Sequence, residues 1–436
     1  MSTLRFTFRF AACAAAAAPL RAQSQPAVFP TDLEQRLARL EAENAEFRRQ
    51  MGVLAEEQER LSLGDVFTPI GDRVSGLAPA ASKIYAVDQG LSIGGYGEAL
   101  YSDFDSRRDD GSASNRSDSA DFLRLVTYIG YKFDQTWLFN SEIEYEHATT
   151  GEGGEVSVEF AYIDGMFASE ANFRTGLLLV PMGFINELHE PVTFWSVNRP
   201  QVERVMLPTT WRENGLGFWG DVGDFSYRAY LVNGFDANGF SASGVRGGRQ
   251  KGAQALAEDF AGVARVDWNG VDGLILGGAA YYGDSGQNQL GADVGTQIYE
   301  AHLDWRWRGL GVRALWVETR IDDVAALNNS LVLVGNASIG ERQSGGYVEL
   351  GYDLASAGWI GGGQALTPFV RAETYDTQER TPNGFASNAA NDVDVLTFGV
   401  SYQPHSQLAF KLDYSNFDNG ANTGVDQINV GMGFVF

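Results

Sequence analysis

Apolar and polar residues alternate one by one through most of the chain after Leu91. In the segment "YEAHLDWRW", Tyr299 and Trp305 lie at alternate positions to the charged Glu300 and Asp304. A β-strand directs successive side chains to opposite faces, so this pattern predicts strands with one apolar and one ionic face. About sixteen such segments meet this criterion; they lie near residues 91–104, 121–133, 136–148, 155–168, 171–183, 213–222, 224–235, 257–269, 272–284, 296–308, 310–321, 344–355, 365–376, 393–404, 406–416 and 425–436.

The connections between these segments are alternately short and long. Tight turns such as "DQ", "SEA" and "GD" follow even-numbered segments, whereas long polar connections follow most odd-numbered ones, at residues 105–120, 184–212, 236–256, 285–295, 322–343 and 377–392. Bacterial outer-membrane barrels have this asymmetry, with tight periplasmic turns and long external loops. A soluble β-sandwich also alternates, with its apolar face inward. The number of segments and the loop asymmetry favour the membrane barrel.

The predicted fold is therefore all-β: a 16-stranded antiparallel transmembrane β-barrel over residues 91–436, preceded by a coiled-coil helix. In lipid, the apolar faces point outward and the ionic faces surround the lumen. The strands close into a ring so that no backbone group is left unpaired in hydrocarbon. At this strand number the lumen is expected to be an aqueous channel rather than a packed core.

Residues 31–61 follow a different period, in which apolar residues are spaced alternately by four and three. The resulting seam has Leu37, Asn44, Met51 and Gln58 at heptad position a and Leu33, Leu40, Phe47, Leu54 and Leu61 at position d. This pattern predicts a coiled-coil helix in the periplasm, with a single amphipathic helix packed on the barrel as the alternative. Residues 62–90 contain Pro and Gly without clear periodicity, which predicts a linker.

The first 22 residues have the features of a secretory signal peptide. Arg5 and Arg9 precede an alanine-rich stretch, with cleavage expected after Ala22. The single cysteine, Cys13, lies within this segment, so the exported protein is expected to lack disulfides. The formal charge of -24 argues against a nucleic-acid partner. A helical membrane protein is excluded, since no run of about eighteen apolar residues occurs.

The chain ends in "QINVGMGFVF", where Ile428, Val430, Met432, Phe434 and Phe436 form one apolar face. This ending resembles the C-terminal signature of outer-membrane proteins. The resemblance implies that the barrel assembly machinery recognises the strand ending at Phe436, and that this strand closes the barrel against the first.

The longest well-defined connection lies between the fifth and sixth segments and mixes acidic and basic residues. We predict that it narrows the pore, with constriction residues Glu187, His189, Glu190, Arg199, Glu203, Arg204, Arg212 and Glu213. Predicted lining residues elsewhere are Arg124, Arg265, Arg306, Arg308, Arg371 and Lys411. Opposed charges in a narrow pore create a transverse field. The alternative is that these charges pair with one another and hold the loop against the wall.

The stretches "RTGLLLVPMGFINE" and "ERVMLPTTWRENGLG" resemble the phosphate-selective porin O/P family. The matching positions are Arg174, Gly176, Pro181, Gly183, Glu203, Arg204, Arg212, Gly215 and Gly217. A coiled coil ahead of the barrel also resembles the trimeric dicarboxylate porins of the same superfamily. The resemblance implies a homotrimer that passes small anions such as phosphate or carboxylates. The chain departs from the phosphate-specific members, however, because it has only 32 lysines and arginines.

The sequence thus favours a passive porin of the Gram-negative outer membrane, with modest anion preference and no cofactor or metal. One alternative is a structural protein whose periplasmic helix tethers the membrane to the cell wall. A barrel enzyme is disfavoured, because the four histidines show no catalytic or zinc-binding spacing. The expected partners are membrane lipid, lipopolysaccharide and small anionic solutes. A basic group in the fourth external loop, "RGGRQK" with Arg246, Arg249 and Lys251, could guide anions or meet lipopolysaccharide phosphates.

Overall fold

The computed structural model describes residues 31–59, 73–149, 151 and 153–436. The predicted signal peptide, Leu61 and residues 62–72 of the predicted linker lie outside the described residues. The chain divides into two compact units, Met1–Leu61 and Ser62–Phe436.

The first unit contains helix α1, Thr31–Glu59, which covers nearly all of the predicted helix. Leu40, Phe47 and Met51 of the predicted seam are 60%, 61% and 51% exposed in the single chain. On another face of the helix, Arg39 Nε donates to Glu43 Oε1 at 3.0 Å. The helix therefore presents an uncovered apolar seam, and its assembly into a coiled coil stays a prediction.

The second unit is a closed antiparallel barrel, as the alternating pattern predicted. Within the described part of the chain, sixteen strands pair in sequence order and β1 closes the ring against β16. Their bounds are β1 Gly90–Phe104, β2 Ser119–Lys132, β3 Trp137–Glu146, β4 Val156–Ala168, β5 Ala171–Leu179, β6 Arg212–Val222, β7 Phe225–Asn233, β8 Phe260–Val271, β9 Leu274–Gly283, β10 Thr296–Trp307, β11 Leu310–Ile321, β12 Arg342–Tyr352, β13 Ala365–Arg380, β14 Asp392–His405, β15 Leu408–Asn419 and β16 Gln427–Val435.

Short helices lie in the connections of the barrel unit. They are α2 Lys83–Ala86, α3 Gln201–Val205 and α4 Val324–Ser330, with 3-10 turns at Ala237–Gly239, Arg246–Gly248, Gly335–Ala337 and Ala389–Asn391. In the described residues, no helix combines the length and the apolar character needed to cross a membrane.

The two faces of the strands are oriented as the membrane interpretation requires. On β10, Tyr299 and Trp307 are 45% and 53% exposed on the outside, whereas Glu300, His302 and Asp304 are buried on the inside. The other strands follow the same rule, with outward-facing Leu276, Trp316, Val348, Phe398 and Phe410 exposed. An exterior of this kind suits hydrocarbon, and the ionic groups surround the lumen.

The barrel closes at a seam between the chain terminus and two glycines of β1. The Phe436 N–H donates to the Gly95 carbonyl at 2.9 Å, and the Gly95 N–H donates back to the Phe436 carbonyl at 3.0 Å. The Phe436 ring covers Gly95 on the outside, and the Phe434 ring covers Gly97. A Cβ on Gly95 would lie 2.7 Å from the Phe436 ring and would also contact the Val126 carbonyl oxygen. The seam therefore depends on glycine in β1, whose lack of a side chain leaves room for an aromatic ring of the C-terminal residues.

We expect Gly95→Ala to destabilise barrel closure by about 1–3 kcal/mol, the usual range for overpacking. The readout is the folded fraction after detergent refolding, followed by heat-modifiable migration on gels. Gly262→Ala is the matched control, because an added Cβ there meets nothing within 4 Å. Equal folded fractions for the two variants would contradict the account of the seam.

Candidate functional site

The connection between β5 and β6, residues 180–211 and here called loop L3, folds into the lumen. Its apolar residues Met182, Phe184, Val202, Met206 and Trp211 are all at most 2% exposed. The Trp211 ring stacks on Phe235 at a centroid distance of 4.6 Å. The expected inward fold is therefore observed, but the loop carries its own apolar core into the middle of the barrel.

Glycines on the lumen side of the wall form the seat of loop L3. A Cβ on Gly431 would lie 2.8 Å from Val197, and a Cβ on Gly433 would meet Pro191. On the other side, Cβ atoms on Gly311 and Gly351 would lie 2.5 and 2.7 Å from the Trp195 ring. Any larger residue would push the loop off the wall. The sequence signal for this contact is glycine at lumen-facing strand positions, which a prediction based on charged residues does not use.

Glu203 organises the loop from within. Its carboxylate accepts the Phe184 N–H at 2.8 Å and the Ile185 N–H at 2.6 Å. It also accepts the hydroxyl of Tyr347 on β12 at 2.6 Å. Burial raises the pKa of Glu203. The residue ties the loop backbone to the wall, in agreement with the structural alternative for the loop charges.

Wall residues opposite Glu203 hold the other side of the loop. Asp413 accepts the Val197 N–H at 2.6 Å. Lys411 donates to the Ser196 carbonyl at 3.0 Å, and Arg371 bridges Glu349 and Glu373 at 3.1 and 2.7 Å. Lys411 and Arg371, which were predicted to line the pore, lie buried beneath loop L3.

A second element also occupies the lumen: residues 73–89, here called the N-terminal segment. Leu77, Ala80, Ala81 and Ile84 are at most 3% exposed, and the segment lies at the short-turn end of the barrel, near the start of β1. These residues belong to the predicted linker 62–90, and their aperiodic pattern gave no sign of a position inside the barrel. Loop L3 and the N-terminal segment therefore fill the middle of the lumen. This differs from the open aqueous channel expected for a barrel with this number of strands.

Glu190 and His189 connect loop L3 to its surroundings. The Glu190 carboxylate accepts the Ala80 N–H at 3.2 Å and the Ala81 N–H at 2.9 Å, and burial raises its pKa to about 7. His189 donates from Nε2 to Glu142 at 2.9 Å and from Nδ1 to the Asn186 carbonyl at 3.0 Å. Burial alone lowers the pKa of His189, but the Glu142 carboxylate raises it above the usual value.

Most other predicted site residues form buried ion pairs. Arg265 contacts Asp267 at 2.9 Å and His302 donates to the same carboxylate at 2.7 Å. Further pairs are Arg228 with Asp267 at 2.5 Å and with Glu187 at 3.4 Å, Arg124 with Glu98 at 2.7 Å and Glu144 at 3.1 Å, and Arg212 with Glu159 at 2.8 Å. Glu213 accepts the Gln250 N–H at 2.9 Å. The structure brings these residues together as anchors of the lumen filling.

Arg199 lies 3.9 Å from the Glu98 carboxylate and donates to the His189 carbonyl at 3.3 Å. Three predicted residues differ from this pattern. Arg306 pairs with Asp304 at 3.2 Å with 48% of its side chain exposed. Arg308 lies in the turn after β10, and its guanidinium stacks over the outward Trp307 ring at 5.0 Å, so it does not line the lumen as predicted. Arg204 is exposed.

Arg246 and Arg249 of the fourth external loop face loop L3 rather than solvent. Arg246 donates to the Thr209 carbonyl at 2.6 Å, and Arg249 donates to the carbonyls of Pro208 and Thr209 at 3.1 and 2.9 Å. Burial, together with repulsion from neighbouring arginines, lowers their pKa values to about 9 and about 10. Both side chains therefore brace the end of loop L3.

Among the described residues, cavities lie at both ends of the lumen. A polar cavity of about 450 Å³ lies near the long loops and is lined in part by Arg116, Asn198, Gln201, Arg204 and Thr423. A cavity of about 310 Å³ lies near the short turns, between the N-terminal segment, loop L3 and the wall of β6 to β9. Loop L3 and the N-terminal segment pack in the region between them.

Comparison with known proteins by sequence finds a relative of this chain. No protein-family model matches the chain. An uncharacterized protein of Aquifex aeolicus (strain VF5) is 36% identical over 356 residues, which cover 79% of each chain.

Solved structures with a similar fold are barrels. A loop L8 deletion mutant of OmpT, an outer membrane protein of Vibrio cholerae, has a TM-score of 0.51 at 9% identity, covering 80% of this chain and 100% of that one. The anion-selective porin from Comamonas acidovorans has a TM-score of 0.47 at 12% identity, covering 80% and 100% of the two chains. The outer membrane channel DcaP of Acinetobacter baumannii has a TM-score of 0.46 at 12% identity, covering 79% and 97%. The likeness to the Vibrio protein identifies the fold as that of an outer-membrane β-barrel.

The raised pKa of Glu190 predicts a pH dependence of stability. The unfolded chain gives up this proton near pH 4.5, and the folded protein holds it to about pH 7. Ionised Glu190 therefore costs up to about 3 kcal/mol of folding free energy. We expect the thermal midpoint in detergent to fall as pH rises from 5 to 8.

Glu190→Gln should flatten much of this slope, because the amide carries no titrating proton. His189 contributes in the same direction, since its raised pKa stabilises the folded state at low pH and loses that effect as pH rises. Exposed Glu170 is the control position, and Glu170→Gln should keep the wild-type slope. An unchanged slope in Glu190→Gln would show that another group carries the pH dependence.

Proposed function

The chain belongs to the same family as the uncharacterized Aquifex aeolicus protein, and we propose that it forms a porin-like channel in the bacterial outer membrane. The channel carries small hydrophilic solutes by passive diffusion and performs no catalysis. The proposal is supported mainly by the inverted polarity of the barrel, with apolar side chains exposed outside and ionic side chains inside. A soluble protein seldom exposes an apolar belt of this extent.

The solute path in this proposal begins and ends at the two lumen cavities. Between them, the inward charges are neutralised by near neighbours and covered by loop L3 and the N-terminal segment. Passage of solute therefore requires these elements to shift, or confines transport to narrow solutes. The barrel wall stays intact in either case, because neighbouring strands hold it together.

The proposed preference is for small anions such as phosphate or carboxylates. It is supported by Arg116 and Arg204 at the outer cavity, which have no carboxylate within ion-pair distance among the described residues. Asp418 is the acidic side chain that lines the same cavity. A mouth with two free cations and one carboxylate attracts anions only modestly. The deeper charges contribute little to selectivity, because they are already paired.

The proposal extends to assembly and surroundings. Three copies associate through the uncovered seam of α1, which lies in the periplasm. The terminal strand ending at Phe436 is presented to the barrel assembly machinery during insertion. The outer rim, where Arg320 and Arg342 both contact Glu318 at 2.6 and 2.8 Å, meets lipopolysaccharide.

Selectivity is tested by the reversal potential of channels in a planar bilayer under a salt gradient. We expect anion preference in the wild type and a roughly two- to fivefold lower anion-to-cation permeability ratio in Arg204→Gln. This range follows because unit charges about 4 Å apart in water interact by about 1 kcal/mol. Arg320→Gln is the control, since this side chain lies outside the lumen and should leave the ratio unchanged.

Clear cation preference in the wild type would contradict the proposed anion selectivity but not the proposed channel function. A folded protein that conducts no ions in any salt would remove the channel proposal itself.

Association through α1 is tested by the mass of the protein in detergent. We expect the double variant Leu40→Asn, Phe47→Asn to shift the protein from trimer to monomer, because both side chains lie on the seam and asparagine loses their apolar contact. Glu41→Gln is the control on the same helix and should remain trimeric. A wild type that is monomeric across the working concentration range would contradict the assembly proposal.

A further inference from the structure

We propose that the N-terminal segment is a removable plug, and that the channel opens when this segment leaves its seat in the lumen. This inference rests on the proposed channel function and adds to it the element that regulates it. It is carried by the position of the segment, by the nature of its contacts and by the glycines beneath it.

The seat of the plug is built from the walls of β1, β2 and β3. Ile84 packs directly over Gly130, where an added Cβ would lie 2.8 Å from the Ile84 side chain. Asn140 donates to the Ala81 carbonyl at 2.9 Å, and Lys132 donates to the Tyr85 carbonyl at 3.3 Å. In both hydrogen bonds a wall side chain donates to a backbone carbonyl of the plug. The seat therefore holds the plug through its backbone as well as through its side chains.

The plug is not part of the barrel ladder. No residue between 73 and 89 is assigned to a strand among the described residues, and the ring closes through β1 and β16 without it. Its buried side chains include Ala78, Ala80 and Ala81, with Leu77, Lys83 and Ile84 as the larger ones. The Tyr85 hydroxyl also donates to Asp164 on β4 at 2.7 Å, which fastens the plug to the wall. The plug can therefore leave while the wall keeps every interstrand hydrogen bond.

The plug also fastens loop L3. The Ala78 N–H donates to the Glu187 carbonyl at 3.1 Å, and the next two contacts are the N–H groups of Ala80 and Ala81 on Glu190. Release of the plug removes the partners of a buried carboxylate, which favours rearrangement of the loop around Glu190. Release of the plug thus also loosens the part of loop L3 around Glu187 and Glu190.

The cavity at the short-turn end lies along the plug. Its lining includes Ser75 and Gly76 of the plug, Glu187 of loop L3, and Arg228 and Trp219 of the wall. Gly76 has a φ of +79°, and a Cβ there would lie 2.5 Å from Arg228, so only glycine lets the segment turn past this side chain. Removal of the plug would merge this cavity with the space that the segment vacates.

A reversible cross-link tests the proposal directly. A Cβ on Gly130 would lie 2.9 Å from the Ile84 Cβ, so Ile84→Cys with Gly130→Cys needs only a small outward adjustment to reach the usual disulfide separation of about 3.8 Å. The full chain with Cys13→Ser supplies a background without other thiols, because Cys13 is its only cysteine. Ile84→Cys alone in that background is the matched control.

In planar bilayers, we expect the oxidised pair to open at least about tenfold less often than the background protein, and reductant to restore opening. The control should not respond to reductant. Deletion of residues 74–86 should give channels that conduct continuously at a higher level, with heat-modifiable gel migration confirming a folded barrel. Equal opening of the oxidised and reduced pair, or a folded deletion variant with background conductance, would overturn the plug. If the folded background, reduced and deletion proteins all failed to conduct, the channel function itself would fail, and the plug with it.

Discussion

The rest of the structure depends on the pairing of every backbone N–H and C=O group within the hydrocarbon layer. Lipid offers no hydrogen-bond partners, so a sheet that crosses it must close on itself. Closure places the last residue of the chain against β1, and this junction works because Gly95 and Gly97 leave room for the Phe436 and Phe434 rings. The apolar exterior of the barrel also follows from contact with lipid. Because successive residues of a strand alternate between its two faces, the ionic residues are directed toward the lumen.

Charges directed inward then need partners of their own. In a wide aqueous lumen, water would solvate them, but here loop L3 and the N-terminal segment occupy much of that space. The carboxylates of Glu190 and Glu203 accept backbone N–H groups, and arginines such as Arg265 and Arg371 pair with neighbouring carboxylates. The charges of the lumen therefore hold its filling in place. Arg116 and Arg204, which have no carboxylate within ion-pair distance among the described residues, lie at the outer mouth.

The candidate site illustrates how far residue types alone can lead. Mixed charge in a long connection led to the prediction that residues 184–212 narrow the pore, and the structure places loop L3 in the lumen with most of these charges paired. The same pattern could not separate a pore-lining charge from an anchor, because that depends on what lies opposite each side chain. Arg308 shows that the alternating pattern is unreliable at the end of a strand. The pattern places its side chain in the lumen, but β10 has already ended at Trp307, and the Arg308 guanidinium lies over the Trp307 ring.

By itself, the sequence determined the strands, their order, the closed ring and the face that each strand turns to lipid. These features follow from a local period of two and from turn lengths, which a linear chain records directly. Only the tertiary structure decided that residues 73–89 lie in the lumen and that Gly130, Gly311, Gly351 and Gly431 serve as seats. Such contacts join residues that lie far apart in the chain, and they depend on close packing and on backbone hydrogen bonds. Neither close packing nor a backbone hydrogen bond produces a periodic pattern in the sequence.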